Sequence, residues 1–137
     1  MTQTITRGYM ALCAEAEAEI ETIDPAEAMA LLGRDDVTFV DIRDVRELAR
    51  EGRVPGAVHA PRGMLEFWVD PESPYHRELF AEDKRFVFFC AGGLRSALAT
   101  QSVQRMGLRP VCHIRGGFSA WREAGGPVEA PAPRKTE

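Results

Sequence analysis

The chain has 137 residues, enough for one domain with a buried core. Its 45% hydrophobic and 28% charged residues suit a soluble globular protein, and a net charge of −4 with interleaved acids and bases offers no basic stripe for nucleic acid. No apolar run approaches the roughly 20 residues that span a bilayer, and Met1 to Thr4 lack the charged and apolar segments of a signal peptide, so a cytoplasmic location is expected.

Residues from about Gly8 to Glu19 alternate alanine and glutamate, which predicts a helix by propensity alone. Its apolar face is thin, so residues 1–19 read as an extension outside the domain, packing in cis or on a second subunit. Cys13 lies here and reads as a small packing residue. At Asp24-Pro25-Ala26-Glu27 an N-cap, a proline at N1 and a glutamate at N3 start a helix that Gly33 stops. Val37 to Ile42 reads as a buried strand, Asp44 to Arg50 as a short helix, and Gly52 to Ala57 as a turn. Val58 to Ala60 forms a brief strand, and Pro61 to Val69 a loop running into a short helix. Asp70 to His76 is surface connection.

Phe86 to Phe89 form a further buried strand, which ends in Cys90. A helix follows from about Arg95 to Met106, then a strand at Val111 to Ile114 and a last helix from Gly117 to Ala124. Strands alternating with helices predict parallel βαβ units in one α/β domain, residues 20–126. Pro127 to Glu137 is proline-rich and polar and reads as a flexible tail.

The stretch Cys90-Ala91-Gly92-Gly93-Leu94-Arg95-Ser96 carries the chemistry. It places a thiol at the carboxyl end of a buried strand, the edge where open parallel sheets bind ligands. Gly92 and Gly93 allow successive backbone N–H groups to turn inward, and the next helix aims its N-terminus at the sulfur. Arg95 adds a positive charge. These features favour the thiolate, the reactive form of cysteine. The same local pattern also suits an unreactive strand-end cysteine before a glycine turn. Cys13, Cys90 and Cys112 are widely spaced and form no C-x-x-C pair, so neither a disulfide framework nor a metal site is expected.

This loop resembles the C-x-x-G-x-R-S active-site loop of the rhodanese-like sulfurtransferases. Other segments fall in that family's order. Asp41-Ile42-Arg43 with Glu47 resembles its D-x-R…E segment, Gly52-Arg53-Val54-Pro55-Gly56-Ala57 its G-H-I-P-G-A turn, and Gly116-Gly117-Phe118-Ser119-Ala120-Trp121 its G-G-F-x-x-W signature. The resemblance covers roughly Ile20 to Gly126. It implies a five-stranded parallel sheet flanked by helices on both faces. It also implies sulfane-sulfur transfer through a Cys90 persulfide, from a small donor such as thiosulfate to cyanide, a thiol or a protein acceptor. No cofactor is implied. Two positions depart from the pattern: Arg53 replaces the turn histidine, and Ala91 stands where some thiosulfate-using relatives carry a basic residue.

Around the loop Ala91 to Ser96, Arg62 and Arg115 are candidate rim cations, and Phe67 and Trp68 a candidate lid or core packing. Asp41, Arg43 and Glu47 read as a paired structural network, with the arginine facing the carboxylate one helical turn on. His59, His76 and His113 show no nucleophile–base spacing. Cys112 and His113 point to opposite faces of their strand, and Cys112 reads as core. Two other functions compete. Phosphatases and arsenate reductases use a Cys…Arg loop with one more intervening residue than the four between Cys90 and Arg95. A non-catalytic interaction module or a dedicated sulfur carrier is the other. A monomer or loose homodimer is expected.

Overall fold

The computed structural model describes residues 2–131. Its centre is a parallel sheet of five strands: β1 (Glu21–Ile23), β2 (Val37–Asp41), β3 (Val58–His59), β4 (Arg85–Phe89) and β5 (Val111–Ile114). Their spatial order is β1-β5-β4-β2-β3, which places β4 in the middle. Six α-helices connect and cover them: α1 (Tyr9–Glu19), α2 (Pro25–Leu31), α3 (Val45–Glu51), α4 (Leu65–Val69), α5 (Leu94–Met106) and α6 (Gly117–Glu123). Short 3₁₀ turns at Arg62–Met64 and Glu78–Ala81 complete the chain.

Side chains alternate across the sheet and build two cores. Phe86, Phe88 and Cys90 join Val40, Ile42, Leu65, Ala99 and Val103 on one face. Val87 and Phe89 join Phe39, Cys112, Ile114, Phe118 and Trp121 on the other. A central strand buried on both faces explains why Phe86 to Phe89 is continuously apolar rather than alternating. The pairing of β4 with β5 sets Phe88 beside His113.

Four of the five strands are readable from residue patterns. Strand β1 is not, because its three residues, Glu-Thr-Ile, carry too little periodicity. It exists through pairing with β5 at the sheet edge, with Thr22 beside His113. The helix before it packs in cis: α1 buries Cys13 and Ala16, and the Cys13 thiol lies 3.6 Å from the Leu94 carbonyl oxygen, which accepts from it. Gln104 donates to the Glu19 carbonyl at 2.8 Å, and Arg105 pairs with the Glu19 carboxylate at 3.1 Å.

The reading of residues 127–137 as a flexible tail requires correction for its first part. Trp121 Nε1 donates to the Pro127 carbonyl at 2.8 Å, and Arg53 and Glu129 exchange backbone hydrogen bonds of 3.0 and 2.8 Å. Val128 packs against the Trp121 core. Proline-rich composition hid a segment held by one indole and one short bridge. Residues 132–137 lie outside the described residues. Among the described residues, no helix is long and apolar enough to cross a membrane.

Candidate active site

Cys90 follows the last residue of β4 and is 1% exposed. Its sulfur accepts the Gly93 N–H at 3.1 Å and the Ser96 N–H at 3.3 Å, and the Ser96 hydroxyl oxygen lies 3.5 Å away. These donors come from the cap and first turn of α5, whose opening N–H groups have no intrahelical partner and carry the positive end of the helix dipole. Gly93 is the residue that makes this possible. Its φ of +99° lies in the left-handed region, and an added Cβ would stand 3.2 Å from the Gly116 nitrogen. Gly92 adopts no positive φ, so the turn depends on one glycine of the expected two.

A second helix holds the loop from behind. Phe118 N–H donates to the Cys90 carbonyl at 2.8 Å and Ser119 N–H to the Ala91 carbonyl at 3.0 Å. Gly117, at φ +62°, permits that approach: a Cβ there would meet the Cys90 carbonyl oxygen at 2.5 Å. The glycine pair before Phe118 therefore lets α6 touch the loop backbone, while Phe118 and Trp121 anchor the helix in the core.

Arg43 and Asp41 are both 1% exposed and form a forked pair at 2.8 to 3.1 Å. Arg43 also donates to the Gly52 carbonyl at 2.9 Å and lies 4.2 Å over the Phe118 ring. It thus ties the end of β2 to the turn after α3 and to α6. The expected pairing of Arg43 with Glu47 does not form, because the nearer Asp41 takes the guanidinium. Glu47 instead caps α3, accepting the Asp44 N–H at 2.9 Å, and binds Arg95 through two contacts of 2.8 and 2.9 Å. Hydrogen bonding from Arg95 lowers the Glu47 pKa to about 2. Arg95 is therefore no unpartnered loop cation. It clamps α3 against the start of α5.

A cleft beside Arg95 is lined by Ile42, Arg43, Asp44, Pro61, Arg62 and Gly63. Of the candidate rim residues, Arg62 lines this cleft and pairs with Glu66 at 2.8 Å. Arg115, Phe67 and Trp68 are not part of its lining. Arg115 binds Asp24 at 2.9 Å. Trp68 packs against the core with the Arg77 guanidinium 4.1 Å over its ring, and Phe67 is exposed to solvent.

The other thiols are chemically quieter. Burial raises the Cys112 pKa to about 11, and desolvation, with Glu17 nearby, raises that of Cys13. Both remain protonated at neutral pH.

His113, which shows no nucleophile–base spacing in the sequence, is buried near the loop. His113 shares the sheet face of Cys90, and its Nδ1 lies 2.9 Å from the Ser96 hydroxyl. Its Nε2 lies 3.1 Å from the Thr22 hydroxyl and 3.5 Å from the Glu17 carboxylate. The sequence places Val111 and His113 on one face of their strand, and only the pairing of β5 with β4 in the structure sets that face beside Phe88 and Cys90.

Known proteins agree with this architecture. A sulfurtransferase of Allochromatium vinosum is 32% identical over 101 residues, covering 74% of this chain and 86% of the relative. The human thiosulfate:glutathione sulfurtransferase is 31% identical over 108 residues, covering 74% and 93%. A solved structure from Rhodopseudomonas palustris, of unknown function and described as a possible tyrosine phosphatase, superposes with a TM-score of 0.91 at 60% identity, covering 94% of this chain and 99% of that one. The chain spans only 64% of a mouse thiosulfate sulfurtransferase/rhodanese-like domain-containing protein 3 and 33% of tRNA uridine(34) hydroxylases of Acinetobacter baumannii. With its cradled cysteine, parallel sheet and supporting G-G-F-x-x-W helix, and with the model of the rhodanese-like domain matching residues 24–124, the chain belongs to the rhodanese-like family, whose sulfurtransferases it resembles along most of its length.

Proposed function

We propose that this protein transfers sulfane sulfur through a persulfide on Cys90. The observation that carries the reading is the Cys90 sulfur itself, buried and held by the Gly93 and Ser96 N–H groups at 3.1 and 3.3 Å. Donors fixed around sulfur stabilise negative charge without reorganising during the reaction. In the first step the Cys90 thiolate attacks the outer sulfur of the donor. With thiosulfate, a sulfur–sulfur bond forms to Cys90, the bond to the sulfonate breaks and sulfite leaves with the electron pair. In the second step an acceptor thiolate or cyanide attacks the outer sulfur, and the Cys90 thiolate leaves. Two displacements replace one direct transfer.

The human relative, a thiosulfate:glutathione sulfurtransferase, supports thiosulfate as donor and a small thiol as acceptor. Ala91 offers no charge of its own to a dianionic donor, which leaves room for mercaptopyruvate or polysulfide. Three free thiols suit a reducing cytoplasm. Intact-mass measurement after incubation with each donor tests the reading: gain of one sulfur, lost in Cys90→Ser and kept in Cys13→Ser and Cys112→Ser, is the expected result.

The description of the Rhodopseudomonas relative favours a second reading, hydrolysis of phosphate esters. Against it stand the short interval between Cys90 and Arg95 and the capture of Arg95 by Glu47, which removes the guanidinium such a loop uses to grip a tetrahedral anion. Cys90-dependent turnover of a generic aryl phosphate would establish that reading instead.

A further inference from the structure

We propose that buried Ser96 and His113, with the solvent-exposed Glu17 carboxylate at their outer end, form a proton relay that takes the proton of the Cys90 thiol and holds it as a counter-charge during sulfur transfer. The inference rests on the reading of Cys90 as the nucleophile and adds what deprotonates it.

The chain of contacts is continuous. The Cys90 sulfur lies 3.5 Å from the Ser96 hydroxyl, which lies 2.9 Å from His113 Nδ1; His113 Nε2 then meets the Thr22 hydroxyl at 3.1 Å and the Glu17 carboxylate at 3.5 Å. Cys90, Ser96 and His113 are all essentially inaccessible to water. A thiol enclosed in this way needs a local proton acceptor, and Ser96 is the residue that touches both sulfur and imidazole.

The charged groups bearing on the ring define its resting state. Glu17 reaches it from α1 and Arg115 acts from the turn just after β5, while β1 and α5 supply the Thr22 and Ser96 hydroxyls. Burial dominates and lowers the His113 pKa, Arg115 adds to that and Glu17 opposes it. The imidazole is therefore neutral before reaction, as a base must be. With Nε2–H directed at Glu17 and Thr22, Nδ1 carries the lone pair that faces Ser96.

The transfer balances without any further reactant. The Cys90 S–H bond breaks and its proton passes to the Ser96 oxygen as the Ser96 O–H proton passes to His113 Nδ1. The products are a thiolate and an imidazolium whose Nε2–H is met by Glu17. The positive ring persists while the negative charge moves onto the outer sulfur of the persulfide. An incoming acceptor thiol leaves as the protonated persulfide, Cys90 departs as thiolate, and His113 returns the borrowed proton to it through Ser96. Glu17 lies in the N-terminal extension, before the stretch matched by the family model, residues 24–124, so that extension closes this relay, while Thr22 comes from β1 of the sheet.

The test needs no sulfur donor, so it separates this proposal from the transferase reading. The rate of Cys90 alkylation by iodoacetamide is followed against pH in a Cys13→Ser/Cys112→Ser background. The His113 ring is followed by nitrogen-detected NMR. Ser96→Ala keeps the backbone N–H to sulfur, and His113→Asn keeps an acceptor for the Ser96 hydroxyl but has no basic nitrogen. Both should slow alkylation at pH 7 about tenfold and move its profile to higher pH. Glu17→Gln should do so more weakly, and the ring titration should move to lower pH in Cys90→Ser, since the coupling is reciprocal. Full recovery of rate and profile by His113→Asn would reduce the histidine to a packing role. A ring that ignores Cys90→Ser, with unchanged alkylation in Ser96→Ala, would overturn the relay.

Discussion

Arg43 shows what a fully buried guanidinium requires. It has a two-toothed carboxylate partner, a backbone carbonyl and an aromatic face, all supplied within a few ångströms. Removing it leaves the buried Asp41 carboxylate without a counter-charge, holding only the backbone N–H of residue 43 at 3.0 Å, so Arg43→Met should cost about 3–5 kcal/mol in urea denaturation. A loss below 1 kcal/mol would mean that water reaches the pair. Among the thiols, Cys112, held near pKa 11 by burial, should react with alkylating reagents at pH 8 only when the protein unfolds. At this scale the sequence marks the right residue types but not their partners. Asp41, Arg43 and Glu47 are visible as a charged network. Which carboxylate takes Arg43 depends on Arg95, 52 positions away along the chain from Arg43 and brought close only by the sheet. His113 is hidden for the same reason, since its role depends on which face β5 presents to Cys90.

At the scale of elements, the site is a loop pinned from three sides, by α5 through its N–H groups, by α6 through Gly117 and by α3 through Glu47. Gly117→Ala puts a methyl group where the Cys90 carbonyl oxygen lies, at a backbone angle that L-residues rarely adopt. It should cost about 1–3 kcal/mol and reduce Cys90 reactivity along with stability. Normal sulfur loading in a folded Gly117→Ala protein would show that α6 does not position the loop. The Glu47–Arg95 clamp predicts a pH dependence. Because the folded-state pKa of Glu47, about 2, lies below its ordinary 4.5, the clamp's contribution is complete above about pH 4.5 and disappears as pH falls toward 2. Arg95 is partly exposed, so screening leaves on the order of 1 kcal/mol. Urea midpoints of Glu47→Gln and the parent should differ at pH 7 and converge near pH 2; a constant gap would refute the assignment. The helix at Asp24 is readable from its N-cap, proline and N3 glutamate, and the capping box forms there and, in the structure, also at Asp44. Strand β1 is unreadable because pairing with β5, rather than its own three side chains, makes it a strand.

Over the whole molecule, the two ends of the described chain contribute to the body between them. The segment after Gly126 covers Trp121 and bridges to Arg53, so truncation after Gly126 should leave the indole N–H without its carbonyl and expose part of that core. A loss of about 1–3 kcal/mol in chemical denaturation is expected; an unchanged midpoint would mean that the segment is dispensable. The α/β class and the parallel sheet are legible in the alternation of elements, and Cys90 in its glycine loop. The cis packing of α1 and the seating of residues 127–131 are not, because alanine–glutamate and proline-rich stretches carry no periodic apolar face to reveal what they touch. The proposed chemistry of the whole molecule converges on one atom, the Cys90 sulfur. Intact-mass spectrometry of the protein after exposure to thiosulfate, mercaptopyruvate or polysulfide reads it directly. A single added sulfur with at least one donor, absent in Cys90→Ser, is the predicted result. An unchanged mass with all three, in protein whose Cys90 is reduced, would contradict it.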